Sequence, residues 1–248
     1  MSRLPSATKR LGQNWLVNQG ILDRIADELA LDAEDVVVEV GPGTGALTER
    51  LAKSGARVIA VEKDHRLLES LRSLLAPYSN ASVIEGDILK FDPSVLVQGS
   101  WKLVGNIPYY LTSHFIKVAL EDWQPALTVV MVQEEVARRL MAQAPQMNLL
   151  ALGVQLYARP SMVMRVSRGS FRPIPEVDSA VVRLERRTDG PSGDRKQALA
   201  MARAAFGHRR KQLTSTIPVE TLSAAGIPPA ARPQELSPED WLRLSTIG

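Results

Sequence analysis

The chain has 248 residues, 45% hydrophobic and 23% charged, and 30 Lys and Arg against 27 Asp and Glu give a formal charge of +3. This is a globular balance with room for one large domain and a small companion, and its mild basicity leaves a nucleic-acid partner open without requiring one. Cysteine is absent, which excludes disulfides and zinc–thiolate sites and fits a cytoplasmic location; no run approaches the ~20 apolar residues of a membrane span, and the opening MSRLPSATKR lacks the apolar core of a secretory signal.

VVVEV (36–40) is a β-branched apolar run that predicts a buried strand, followed by Gly41-Pro42-Gly43-Thr44-Gly45 and then by ALTERLAKSG at helical spacing. RVIAVEKD (57–64) predicts a second strand, HRLLESLRSLLAPY an amphipathic helix stopping at Pro77, SVIEGD (82–87) a third strand and WKLVGN a fourth. LTSHFIKVALEDW reads as a helix, ALTVVMVQ (126–133) as a strand and EEVARRLMAQ as a helix. Strands alternating with helices argue for an α/β fold, a parallel sheet with helices on both faces. After residue 149 the rhythm changes: LLALGVQLYA predicts a helix, and MVMRVS and DSAVVRLERR two antiparallel edge strands. TDGPSGD (188–194) is a linker by composition, and RKQALAMARAAFGHRRKQLTSTI and SPEDWLRLSTI are helical. The domains are therefore 1–188 and a small all-α domain, 189–248.

The strand, glycine loop and helix together form a nucleotide-binding turn, in which glycines let the backbone approach a ligand and the helix start offers free N–H groups. The signal alone is weak, since a tight strand-to-helix turn without a ligand has the same pattern. Glu62 and Asp87 sharpen it. Each closes a strand, where one carboxylate can accept ribose hydroxyls and the other an adenine amine. The plainer alternatives are a solvated charge and a helix cap. Three strand tips converge on the carboxyl edge of the sheet, so the ligand contains an adenosine; NAD and S-adenosylmethionine both qualify.

Asn106, Ile107, Pro108 and Tyr109 follow the fourth strand. Methylating an adenine amine needs two acceptors for its hydrogens, because they pull the nitrogen towards a tetrahedral shape and free its lone pair. The Asn106 oxygen and the Ile107 carbonyl can serve, the latter aimed by the fixed backbone of Pro108. Tyr109 then offers a stacking face worth about 1–3 kcal/mol. The sulfonium donor is already activated, so positioning is the main contribution. NAD chemistry has no evident use for this set.

LGQNWL (11–16), EVGPGTGALT (39–48), AVEKD (60–64), EGDIL (85–89), GNIPYYLTS (105–113), QEEVARRL (133–140), SFRPIPEVDSAVVRL (170–184) and AFGHRRKQL (205–213) occur in that order. With these stretches the chain resembles the KsgA/RsmA family of small-subunit rRNA adenine dimethyltransferases over nearly its whole length. The resemblance implies a Rossmann-like class I S-adenosylmethionine-dependent methyltransferase domain whose segment 1–20 closes over the cofactor. By this likeness Asn14, Leu16, Gly41, Gly43, Glu62, Asp87 and Asn106 bind the cofactor, Tyr109 stacks on the target adenine and Phe171 covers its other face. Trp15 stands where the family more often has phenylalanine, Glu134 where a basic residue is frequent, and APQMNLLALG (144–153) replaces a glycine-lysine-tyrosine-glycine type stretch.

Two arginine-rich regions suit phosphate contacts: the edge-strand region with Arg168 and Arg172, and the later cluster with Arg209, Arg210 and Lys211. A solvated helix face is the plainer reading of the second. His65 and His114 lack metal-ligand spacing, and no metal is assigned. The resemblance implies methyl transfer to two neighbouring adenines in the 3′-terminal hairpin of 16S rRNA, within the 30S subunit or its precursor, and a part in ribosome biogenesis; a monomer is expected. The alternatives are a 23S rRNA methyltransferase of the macrolide-resistance type, a non-catalytic assembly factor on the same fold and, on the glycine loop alone, a dehydrogenase.

Overall fold

The computed structural model describes residues 12–90, 92–189 and 193–247. It divides into two compact units, Met1–Ala137 with Ser161–Arg186 and Arg138–Pro160 with Arg187–Gly248. The sequence suggests one cut near residue 189; the second unit also takes in 138–160.

The chain runs β1 (Trp15–Leu16), α1 (Gln19–Glu28), β2 (Val36–Val40), α2 (Ala46–Lys53), β3 (Arg57–Glu62), α3 (His65–Leu75), β4 (Ala81–Glu85), β5 (Lys102–Asn106), α4 (Thr112–Val118), β6 (Leu127–Gln133) and α5 (Glu134–Leu140). It continues with α6 (Leu149–Gln155), β7 (Ala158–Val166), β8 (Phe171–Arg172), β9 (Ser179–Arg186), α7 (Arg195–Phe206), α8 (Val219–Ala224) and α9 (Pro238–Ser245). Seven strands form one sheet in the order β4-β3-β2-β5-β6-β9-β7, and β1 pairs with β8 in a separate two-stranded ribbon. The pairings from β4 to β6 are parallel and β9 is antiparallel to β6.

The parallel strands read as unbroken apolar runs because helices cover both faces. Leu22 and Ile25 of α1 and Leu47 and Leu51 of α2 share one core cluster with Val37, Val58, Val104 and Val129. The alternate strand residues Val38, Ile59 and Leu103 are also buried, as are Leu67, Leu68 and Leu71 of α3 and Phe115 and Ile116 of α4. Helix α1 adds to the elements expected from the sequence; Asn18 caps it by accepting from the Ile21 N–H at 3.2 Å. Strands β2 and β5 approach closely at Gly105, where a Cβ would lie 2.9 Å from the Val40 carbonyl oxygen.

In the second unit Trp241 is fully buried with Phe206 beside it, ring centroids 6.4 Å apart. Arg187 donates to Glu239 at 2.7 Å and to the Gln155 carbonyl at 3.0 Å. The divergent stretch 144–153 is anchored here: Met147 is buried, its N–H donates to the Gln234 carbonyl at 3.0 Å, and Asn148 caps α6. The helical reading of 195–217 is corrected, since α7 stops at Phe206. Gly207 caps it, its N–H donating to the Arg203 carbonyl at 3.1 Å, and glycine is a poor residue for a helix interior.

Candidate active site

The tips of β2, β3, β4 and β5 surround a cavity of about 130 Å³ lined by Gly41, Gly43, Glu62, Asp87, Asn106, Pro108 and Tyr109, together with residues 12–15. Gly41, Gly43 and Gly45 take left-handed φ angles of 66°, 56° and 81°, as a loop turning sharply into α2 requires. A Cβ on Gly43 would come 3.2 Å from the Trp15 ring, so the loop and the N-terminal segment touch because that position has no side chain.

Glu62 is buried, its Oε2 accepting from the Gly43 N–H at 3.1 Å and its Oε1 from the Asp64 N–H at 2.7 Å. Burial raises its pKa above the usual carboxylate range, against the pull of those N–H groups. Asp87 accepts from Lys63 Nζ at 2.8 Å and from the Leu89 N–H at 3.2 Å; the lysine hydrogen bond chiefly lowers its pKa. Both carboxylates thus stand at strand tips in the cavity wall.

Asn106 is the pivot. Its Nδ2 donates to the Asn14 carbonyl at 3.0 Å, leaving Oδ1 to accept. Pro108 holds an extended φ of −51° and ψ of 131°. The Tyr109 hydroxyl shares a 2.6 Å hydrogen bond with Ser179 Oγ, and burial raises its pKa. Tyr110 lines the same cavity yet is 68% exposed. Of the segment 1–20 expected to close over the cofactor, residues 12–20 are described.

Leu16 lines an adjoining cavity of about 50 Å³ that it shares with Trp15, Glu39, Gly41, Gly43 and Asn106. Glu39 is 2% exposed, its Oε2 has no hydrogen-bond partner among the described residues, and burial pushes its pKa up to about 7. The motifs leave Glu39 without a role; a lone acid inside the apolar run VVVEV is the signal that marks it.

Phe171 is the exception among the residues expected at the site. Its side chain is fully buried in the core cluster, and its backbone pairs with Leu16 across the β1–β8 ribbon. It does not line the cavity, because the period of the two-residue strand turns it inward. The structure thus places Phe171 in the core beneath β1 and outside the walls of the cavity in which a base-covering residue is expected. Arg168 and Arg172 are exposed, and among the described residues their guanidinium groups reach backbone carbonyls, of Glu176 at 3.5 Å and of Phe171 and Gly169 at 2.8 and 3.1 Å. Arg209, Arg210 and Lys211 are exposed in the turn after α7. Glu134, by contrast, pairs with Arg165 at 2.8 Å.

Residues 5–247 match the family model described as ribosomal RNA adenine dimethylase. The chain is 41% identical to a Dehalococcoides mccartyi protein named ribosomal RNA small subunit methyltransferase A, over 97% of this chain and 88% of that protein. It is 39% identical to a Bacillus pumilus protein of the same name, over 98% and 91%. Among solved structures, a dimethyladenosine transferase from Plasmodium falciparum is similar at a TM-score of 0.80 and 26% identity, covering 92% of this chain and 95% of that one. The 23S rRNA methyltransferase ErmE is similar at 0.78 and 29%, covering 94% and 98%.

Proposed function

Because the chain belongs to the ribosomal RNA adenine dimethylase family, we propose that it methylates the N6 amines of two adjacent adenosines in the 3′-terminal hairpin of 16S rRNA, in the 30S subunit or its precursor. The observation that carries this reading is the Asn106 amide, held by the Asn14 carbonyl so that its oxygen is left as an acceptor beside the Pro108–Tyr109 turn.

The residues fit S-adenosylmethionine. The glycine loop has no side chain at the point where a Cβ would meet Trp15, and two carboxylates stand on separate strand tips. Asn14, Leu16, Gly41, Gly43, Glu62, Asp87 and Asn106 hold it, with Glu62 on the ribose hydroxyls and Asp87 on the adenine amine. When bound, this cofactor supplies an activated methyl group on a sulfonium. Asn106 Oδ1 and the Ile107 carbonyl accept the hydrogens of the target amine. Tyr109 stacks on the base, with Ser179 fixing its ring. The target base has to leave its stack to reach them, at a cost of a few kcal/mol. Arg168, Arg172, Arg209, Arg210 and Lys211 contact phosphates and position the RNA without reading its sequence. We assign the activity to the cytoplasm, with the protein acting as a monomer and without a metal.

The test is recombinant protein incubated with labelled cofactor and undermethylated small subunits; absence of dimethyladenosine overturns the reading. The macrolide-resistance alternative has less support: the relatives at 41% and 39% identity carry the small-subunit name, against 29% for ErmE. Primer extension across both rRNA sites in a deletion strain separates the two.

A further inference from the structure

The segment Gly12–Val17 is fastened on three sides. Towards Phe171 it pairs as β1 with β8, and the Val17 N–H donates to the Ser170 carbonyl at 2.9 Å. In its middle, the Asn14 carbonyl accepts from Asn106. At its start, Gln13 Nε2 donates to Asp64 Oδ2 at 2.9 Å. The roles assigned above use neither Gln13 nor Asp64.

Asp64 is built as a fixed acceptor. It is 4% exposed, it caps α3, and Arg66 grips it through Nε at 2.8 Å and Nη2 at 2.6 Å. The guanidinium holds its carboxyl well below the usual carboxylate range, so it is ionised when Gln13 meets it. Its own N–H donates to Glu62, which in turn accepts from Gly43. The Gln13 bond therefore ends on the same hydrogen-bonded network that shapes the carboxylate and glycine loop of the cavity.

We propose that the Gln13–Asp64 hydrogen bond is a latch that holds the Gly12–Val17 strap over the bound cofactor, making both positioning residues. The proposal rests on the reading of the cavity as the S-adenosylmethionine site. Release of the latch frees the end of the strap, and with it the Asn14 carbonyl that orients Asn106. Cofactor retention and orientation of the amine acceptor then change together, although neither latch residue is placed at the reacting atoms.

The experiment is a charge swap. Gln13→Glu sets a second carboxylate against Asp64 and opens the latch; the double variant Gln13→Glu with Asp64→Asn restores a donor–acceptor pair in the opposite sense and keeps a residue able to cap α3. Titration calorimetry with S-adenosylmethionine alone is expected to show at least about tenfold weaker binding for the single variant, the scale of a lost hydrogen bond to a charged group. The double variant should return to within about threefold of wild type, the shortfall being imperfect geometry. Amide exchange over residues 12–17 should lose its cofactor-dependent protection in the single variant alone, with a cooperative unfolding transition of the cofactor-free protein retained in both. Wild-type affinity in Gln13→Glu, or a double variant no better than the single, overturns the latch. Wild-type protein that gives no binding heat overturns the cofactor reading and the latch with it, whereas wild type that binds beside an unaffected Gln13→Glu overturns the latch alone.

Discussion

Asn106 illustrates how a polar side chain at a strand tip is committed to one orientation. Its nitrogen is taken by Asn14 at 3.0 Å, so its oxygen faces whatever donor arrives. Asn106→Ala is expected to lower kcat at least about 100-fold, the loss of one preorganised group at the reacting centre, while RNA affinity by filter binding stays near wild type; transfer near the wild-type rate would remove Asn106 from the chemistry. Phe171→Ala should cost about 3–5 kcal/mol of unfolding free energy in denaturant titration, because a fully buried ring is lost from the core. Unchanged stability would show that the ring does not carry the packing its burial implies. Glu39 makes a pH prediction. Its folded-state pKa is near 7 against an ordinary 4.5, so the folded form binds the extra proton between those values. Stability contributed at this site is thus highest below about 4.5 and falls as pH rises to about 7. Relative to wild type, Glu39→Gln should gain about 3 kcal/mol between pH 4 and pH 8, and a constant difference across that range would show that Glu39 does not titrate as its burial dictates. The residues at the cavity are legible in the sequence as strand-tip polar groups, but their partners are not. Ser179 lies 70 positions from Tyr109, and Asn14 lies 92 from Asn106; no local pattern encodes such pairs.

The alternation of strands and helices is readable because each parallel strand is buried on both faces and each helix has one apolar side, two periodicities that a sequence carries openly. Helix α1 is encoded in the same way, since Asn18 followed by Ile21, Leu22 and Ile25 carries both a cap and a face; its place directly after the LGQNWL motif hides it. Helix α7 looks longer in the sequence than it is, because Leu213 and Ile217 continue an apolar spacing past Gly207, where the helix ends. Between β2 and β5 the decisive feature is a missing atom. Gly105→Ala would push a methyl into the Val40 carbonyl region, 2.9 Å away, and overpacking of that kind costs about 1–3 kcal/mol. Because the same two strands carry Gly41 and Asn106, activity per folded molecule should also fall; loss of stability with full specific activity would show that the strand tips tolerate the displacement.

Across the chain, the excess of basic over acidic groups is small, so RNA affinity has to come from placed cations instead of net charge. Replacing Arg209, Arg210 and Lys211 together by Gln is expected to weaken RNA binding and to flatten the plot of log affinity against log salt by about one for each phosphate no longer neutralised. An unchanged slope would assign the turn to a solvated surface. The ribbon between β1 and β8 has a further implication for biosynthesis. Trp15 finds its partner only at Arg172, so a growing polypeptide halted before that point can assemble the glycine loop and its neighbouring strands but has nothing to which the strap's far end can attach. Such long-separation pairing is slow to form. A ribosome would therefore have to translate almost the entire first unit before this protein could retain a methyl donor and begin work on another ribosome's RNA.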